Sequence, residues 1–399
     1  MDTIYLDHNA TTPTRPEVID AMAACGRAGH ANPASQHQPG QKARHLLEQA
    51  REQIASMLGA DLSGPKGDRL IFTSGGTEAN NLAVLGIARG TKGTGTSGTR
   101  SQSPLSGKQP WRVVVSAIEH PSVLGPAEEL LDEGWRVDSL GVTSDGVVRV
   151  EMLPGLLAPE TRLVSVMLGN HETGVLQPVA ELAAVCNDHG VPMHSDAVQV
   201  AGKLPIAFRE LCVAAMSVAA HKFQGPLGIG ALILRHDVAI DPLLYGGHQQ
   251  AGLRPGTESV ALAVGMATAL ELWRQERETH ARRLQALRDR FEIGLRAGYP
   301  ELVVNGGAAL RLPQTSNVAL PGLDGQILLV ALDAVGVACS VGSACSSGST
   351  DLSTTLLAMG LPRPIVGSSL RFSLGATTTK DEVDEAIRRI LHVVGELRS

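Results

Sequence analysis

The sequence predicts an α/β fold: a mainly parallel sheet between helices, followed by a smaller α+β C-terminal part. Three observations carry this. Short, continuously apolar runs alternate with longer helix-like stretches, the pattern of strands covered on both faces. The chain has 399 residues, room for two or three domains, or for one large domain and a smaller one. Apolar residues make up 43% and charged residues 19%, a globular balance that excludes a disordered chain.

Strands are expected at Arg69–Thr73, Trp111–Ala117, Leu163–Leu168, Pro192–Ser195, Ala214–Ala219 and Gly230–Leu234. Between them, Thr77–Arg89, Ser122–Glu133 and Val179–His189 read as helices. Residues 91–110, TKGTGTSGTRSQSPLSGKQP, contain one aliphatic side chain, Leu105, and no acid. Such a stretch buries too little to offset its ordering entropy and reads as a flexible insertion within the large domain. The pattern changes after residue 262. Glu271–Ala297 is long, charged and helical, with Leu284, Leu287 and Phe291 at helical spacing. It reads either as the link to a smaller C-terminal domain or as a surface helix of a single domain.

Composition narrows the function. The net charge is −6, which excludes a globally basic nucleic-acid binder. Aromatics are 3%, too few for base-stacking platforms, so no direct nucleic-acid partner is expected. The five cysteines, at 25, 186, 212, 339 and 345, form no CxxC pair, so neither a disulfide framework nor a zinc ribbon is expected. No metal is expected, since His30 and His37 lack ligand spacing. The start at Met1-Asp2-Thr3 lacks a signal peptide's basic and apolar regions, and no apolar run reaches membrane-spanning length, which predicts a cytoplasmic protein.

Five short stretches carry chemistry. Lys222, after the apolar run Ser217–Ala220 and before a Gly/Pro turn, is either a Schiff-base amine or an ordinary surface lysine. In Thr73-Ser74-Gly75-Gly76-Thr77-Glu78 a strand passes through glycines into a helix, whose free N–H groups suit a phosphate or simply make a capped helix. Asp196, in His194-Ser195-Asp196-Ala197-Val198-Gln199, sits just past a strand, as a ligand group at a sheet edge or as a helix cap. Cys345 lies in the small, polar run Gly342-Ser343-Ala344-Cys345-Ser346-Ser347-Gly348, where a thiol is exposed and reactive. Cys25, Cys186 and Cys212 read as structural, and Cys339 as ambiguous. Arg371, inside the strand-like run Ser368–Gly375, binds either a ligand carboxylate or an internal acid. Together they fit a pyridoxal phosphate enzyme acting on an amino acid with thiol chemistry.

The order and wording of these motifs resemble the NifS/IscS-like cysteine desulfurases, class V, fold-type-I pyridoxal phosphate enzymes. The resemblance runs from Tyr5-Leu6-Asp7-His8-Asn9-Ala10-Thr11-Thr12 and Asn32-Pro33-Ala34-Ser35 to Arg371-Phe372-Ser373-Leu374-Gly375. It implies a large cofactor-binding domain over 15–262 and a small domain over 263–399, on which residues 1–14 pack. It also implies a homodimer. Lys222 forms the Schiff base with pyridoxal 5′-phosphate, Asp196 pairs with the pyridinium nitrogen, Gln199 reaches the ring hydroxyl and His120 stacks on the ring. Gly76, Thr77 and His221 hold the phosphate, joined by Thr257 from the other subunit. Arg371 binds the substrate carboxylate. Cys345 takes sulfur from L-cysteine as a persulfide, leaving L-alanine, and passes it to an acceptor such as an iron–sulfur scaffold.

Three positions depart from that pattern. His171, in Asn170-His171-Glu172-Thr173-Gly174, stands where an asparagine is expected beside cofactor and substrate. Ala219 replaces a serine facing the phosphate, and Ala251, in His248-Gln249-Gln250-Ala251, replaces an arginine. Selenocysteine lyase is the alternative activity, because a selenol ionises and leaves more readily and such an enzyme needs Cys345 less. A class V aminotransferase with another substrate has no evident use for Cys345, and a non-catalytic scaffold none for Lys222.

Overall fold

The computed structural model describes residues 2–29, 31–90, 110–342 and 352–398. The 91–110 insertion, apart from Pro110, and Cys345 therefore lie outside the described residues.

A short strand β1 (Ile4–Tyr5) precedes two helices, α1 (Pro16–Arg27) and α2 (Gln38–Met57), each started by a proline at its first turn. Then come β2 (Arg69–Thr73), α3 (Gly76–Arg89), β3 (Arg112–Ser116), α4 (Pro121–Asp132), β4 (Arg136–Leu140), α5 (Leu153–Leu156), β5 (Thr161–Ser165), α6 (Val179–Asp188), β6 (Met193–Asp196), β7 (Ala215–Ala219) and β8 (Gly230–Leu234); all but β4 and α5 overlap an expected element. The order across the sheet is β2-β8-β7-β6-β5-β3-β4. All neighbours are parallel except β8, which runs against both β2 and β7. The reason is length. Residues 220–229 are too few for a crossover helix, so the chain turns back beside β7, and Lys222 sits in that turn.

Helix α7 (Val260–Gly298) runs 39 residues, starting eleven before the predicted Glu271, where Ser259 Oγ caps it by accepting from the Leu262 N–H. The expected domain boundary at 262/263 thus lies in its first turn. Beyond it come β9 (Val303–Val304), β10 (Thr315–Ala319), α8 (Gly325–Ala334), β11 (Val337–Ala338), α9 (Thr354–Ala358), α10 (Arg363–Gly367), β12 (Ser369–Ser373) and α11 (Lys380–Arg398). β12, β10 and β9 make a small antiparallel sheet, and β1 pairs in parallel with β11.

Three apolar cores follow. One face of the large sheet packs against α3 and α4 through residues such as Leu82, Ile87, Val123 and Leu130. The other packs against α2, α6 and the first half of α7 through Ile54, Leu182, Met266 and Leu270. The second half of α7 changes partner: Leu284, Leu287, Phe291 and Leu295 join α8, α11 and the small sheet. There the fully buried rings of Phe291 and Phe372 lie 5.0 Å apart. Truncating either to alanine costs about 3–5 kcal/mol. No helix among the described residues is long and apolar enough to cross a membrane.

Candidate active site

A cavity of about 310 Å³ lies at the carboxyl edge of the parallel strands, where open α/β sheets bind ligands. Nine of the predicted site residues line it: Gly76, Thr77, His120, His171, Asp196, Gln199, His221, Lys222 and Arg371.

The strand ends place the first group. Asp196 is the last residue of β6, inside the strand rather than past it. Its carboxylate accepts from the Val198 N–H (2.9 Å) and from Asn80 Nδ2 (2.7 Å), which holds it as a fixed acceptor. Lys222 follows β7, and its Nζ donates to the carbonyls of Asn9 (2.6 Å) and Ala10 (2.8 Å) in the N-terminal segment. The amide of Gln199 is held at both ends: Nε2 donates to the Asn9 carbonyl, and Oε1 accepts from Lys203 Nζ (2.8 Å). One Nε2 hydrogen is left for a ligand.

Gly75 precedes α3 in an extended conformation and makes no side-chain cap, so no side chain from the cap position covers the helix's first N–H groups. Gly76 is small of necessity, since a Cβ there would come within 2.9 Å of Val198 Cγ2. His221 contacts Thr11 Oγ1 at 3.2 Å. Burial, with Lys222 and Lys203 nearby, pushes its imidazole down to about 4, so it is neutral at pH 7. Ala219 is buried in this wall and supplies no hydroxyl.

His120 caps α4. Its Nδ1 accepts from the Ser122 N–H (3.1 Å), which leaves the proton of a neutral ring on Nε2. The ring meets His171 edge-on, with centroids 5.2 Å apart. Burial lowers the proton affinity of both imidazoles, that of His171 well below the usual histidine value. His171 Nδ1 is buried with no partner among the described residues, and Nε2 lies 3.6 Å from Glu172 Oε1. Glu172, itself buried, is pushed up by that burial.

Arg371 is almost enclosed, with 4% of its side chain exposed. It donates from Nη2 to Asp7 Oδ1 (2.7 Å) and from Nη1 to the His171 carbonyl (3.1 Å); Asp7 Oδ2 accepts from Ser340 Oγ (2.8 Å). The internal ion pair is therefore made, while the side chain also faces the cavity. Asp7 lies 364 residues away in sequence, and nothing local pointed to it. Glu172, Asn80 and Asn9 were likewise given no role, although Asp7, Asn9 and Glu172 all lie within quoted motifs.

Two expected site residues are not in the cavity. Thr257 is exposed outside it, in a segment held to α3 by Arg254 donating to Glu78 Oε1 (2.9 Å). Cys345 lies outside the described residues, but the positions flanking that interval converge on Glu172. A Cβ at Gly342 would overlap Glu172 Oε2, and Ser353 Oγ donates to the same oxygen at 2.6 Å. Among the other cysteines, Cys186 is buried and its thiol pushed up to about 12 by burial, as is that of Cys339. Cys212 corrects the expectation of a structural thiol: it is exposed, at a turn with φ 55°. Near the missing arginine, Gln250 pairs its amide with Phe72, accepting at Oε1 (2.6 Å) and donating from Nε2 (2.9 Å), which closes the free edge of β2. Ala251 beside it is exposed.

The model of the aminotransferase class V family matches residues 4–386. The chain belongs to the class V aminotransferase family. An IscS-like cysteine desulfurase of Mycobacterium tuberculosis is 42% identical over 99% of this chain and 97% of its own length. The cysteine desulfurase NifS of Azotobacter vinelandii is 36% identical over 100% and 94%. Among solved structures, a NifS-like protein from Rickettsia africae superposes with a TM-score of 0.85 at 30% identity, covering 98% of this chain and 99% of that one.

Class V desulfurases depend on pyridoxal phosphate, and this cavity fits it. An uncapped helix N-terminus suits a dianion, a strand-end carboxylate a ring nitrogen, and an amine a carbonyl carbon. Asn80 Oδ1 and His171 Nδ1, buried and without a partner among the described residues, belong to residues of its wall.

Proposed function

We propose that this chain is a cysteine desulfurase that converts L-cysteine to L-alanine and carries the sulfur as a persulfide on Cys345. The observation that carries the reading is one cavity holding Lys222 Nζ, the Asp196 carboxylate, the open α3 N-terminus and Arg371. Pyridoxal phosphate, bound there, supplies an electrophilic carbon for an amine and a ring that takes up electron density from the substrate's α-carbon.

The chain's own residues do the rest. Gly76, Thr77 and His221 hold the phosphate, and Thr257 of a second subunit completes that cradle in a homodimer. Asp196 keeps a proton on the ring nitrogen, held in place by Asn80 and the Val198 N–H. Gln199 gives its remaining Nε2 hydrogen to the ring hydroxyl. Arg371, locked by Asp7 and the His171 carbonyl, attracts the substrate carboxylate. Lys222, or His120 in the tautomer whose Nδ1–H donates to Ser122 Oγ (2.8 Å), takes the α-proton, and the group that took it gives it back. The Cys345 thiolate then attacks the substrate sulfur. An S–S bond forms, the C–S bond breaks, and its electron pair is protonated on carbon to give the methyl group of alanine.

The names of the most similar relatives favour cysteine over selenocysteine as substrate. The persulfide passes to a sulfur acceptor such as an iron–sulfur scaffold, in the cytoplasm. Alanine release from L-cysteine, with reductant and pyridoxal phosphate, tests the reading. Wild type should release alanine and Cys345→Ala should not. Release by neither protein rejects the assignment, and equal release by both rejects Cys345 as the acceptor.

A further inference from the structure

Gln199, the amide proposed to meet the cofactor's ring hydroxyl, is held by a lysine to which that reading gives no role. Gln199 and Lys203 lie in helix-like turns over 197–204, where the Ala201 N–H donates to the Ala197 carbonyl (2.9 Å) and the Leu204 N–H to the Val200 carbonyl (3.1 Å). Residues four apart in such turns stand side by side. Gly202 permits the path: its φ is 71°, and a Cβ there would overlap the Phe223 side chain.

The orientation of the amide is set from both ends. Nε2 donates to the Asn9 carbonyl at 2.9 Å, and Oε1 accepts from Lys203 Nζ at 2.8 Å. A carbonyl only accepts, so Asn9 requires the nitrogen; the amine has an N–H to give whether charged or neutral, so it takes the oxygen. The same Asn9 carbonyl accepts from Lys222 Nζ at 2.6 Å. Turned over, the amide would set oxygen against oxygen there. Lys203 is half-buried, and among the described residues no acid pairs with it. Burial, with Lys222 and Arg371 nearby, holds its proton affinity well below that of an ordinary lysine. Its charge in turn weighs on His8 and His221. An amine placed among cations with no acid beside it is unfavourable for the fold, which marks it as a functional group.

We propose that Lys203 is a positioning residue for the cofactor: by fixing Gln199 Oε1 it keeps the amide nitrogen, with its one unused hydrogen, at the cavity wall. The proposal rests on the reading of Lys222 and Gln199 as cofactor residues. A donor at the ring hydroxyl oxygen favours the form whose lysine nitrogen has lost its proton, because that oxygen then carries more negative charge. Gln199, held by Lys203, therefore lowers the pH at which that nitrogen deprotonates.

The test is a pH titration of the lysine-bound cofactor's absorbance in the holoenzymes of wild type, Lys203→Met, Gln199→Ala and the double variant. Methionine fills the space of the lysine stem and cannot donate. Lys203→Met should raise the midpoint by about 0.5–1 pH unit, the size of one hydrogen bond. The Lys203 charge acting through space shifts it the same way, and the double variant separates the two. It should match Gln199→Ala alone, because without the amide Lys203 has nothing to hold. Identical titrations of wild type and Lys203→Met overturn the proposal, and so does a full further shift when Lys203→Met is added to Gln199→Ala. Should Lys203→Met not fold, a high-resolution crystal structure of the wild-type holoenzyme decides. The Lys203–Gln199 bond kept, with Nε2 towards the cofactor, supports the proposal; a broken bond or a turned amide overturns it. Borohydride reduction should fix the cofactor on Lys222 in the wild type. No adduct there rejects the cofactor reading and the proposal with it, whereas an adduct with an unmoved midpoint rejects Lys203 alone.

Discussion

The two walls of the candidate active site are built differently. The wall made by the ends of β6 and β7 is a set of short local motifs whose side chains are anchored to backbone: Asp196 on the Val198 N–H close by in sequence, Lys222 on the Asn9 and Ala10 carbonyls of the distant N-terminal segment. The opposite wall, His171, Glu172 and Arg371, consists of buried titratable groups that rest on one another and on Asp7. Backbone anchors tolerate change around them, because every residue supplies the same C=O and, proline apart, the same N–H whatever its side chain. Charges that depend on each other do not, because removing one strands the next in a low-dielectric site.

Substitutions on the two walls should therefore fail in different ways. The largest effect belongs to Lys222→Ala, which should lower kcat by about 10³-fold or more while leaving the melting temperature of the cofactor-free protein nearly unchanged. A melting temperature that drops with activity would show this wall to be as interdependent as the other. Next, Asp7→Asn leaves Arg371 with half its ion pair and should destabilise the fold by about 3–5 kcal/mol in denaturant unfolding. Neutral unfolding behaviour would mean that the pair merely stores Arg371 until substrate arrives.

Titration gives a third contrast. His8 is held neutral, with its value pushed down to about 4 by burial, so the unfolded chain binds more protons as pH falls from about 6.5. Its stabilisation is complete above about 6.5 and is lost as pH falls towards 4, amounting to about 3 kcal/mol. Glu119 has the opposite sign. Burial pushes it up to about 8, so the folded chain holds the extra proton and stability falls as pH rises through 4.5 towards 8. Its Oε1 accepts from Ser116 Oγ and the Met167 N–H, which an amide oxygen also does. Glu119→Gln should flatten the alkaline side of a melting-temperature profile and leave the acid side; parallel profiles would refute the buried-acid account. The smallest effect is expected from His171→Asn, which installs the residue expected from the resemblance. A severalfold change in KM for cysteine, with kcat nearly kept, would place His171 at the substrate. A shifted pH profile of kcat would place it in proton transfer with His120.

The first wall was legible in the sequence because strand, turn and functional side chain are contiguous there. The apolar run to Ala219 and the turn at Gly225-Pro226 bracket Lys222, and two glycines mark the start of α3. The second wall was only half legible. Arg371 stood out as a cation inside a strand, but neither Asp7 nor Glu172 carries a local signature, because the hydrogen-bond partners that fix them, Arg371 and Ser353, lie more than a hundred positions away.

By itself the sequence determined the alternation of strands and helices, the parallel sheet and the strand-end placement of Asp196 and Lys222. Hydrophobic periodicity and turn chemistry are local and survive in one dimension. Only the tertiary structure decided that β8 reverses, that α7 divides between two cores and that Asp7 occupies Arg371. Each depends on which distant segments share space, and burial turns that proximity into hydrogen bonds, proton affinities and unpaired atoms that no local pattern encodes.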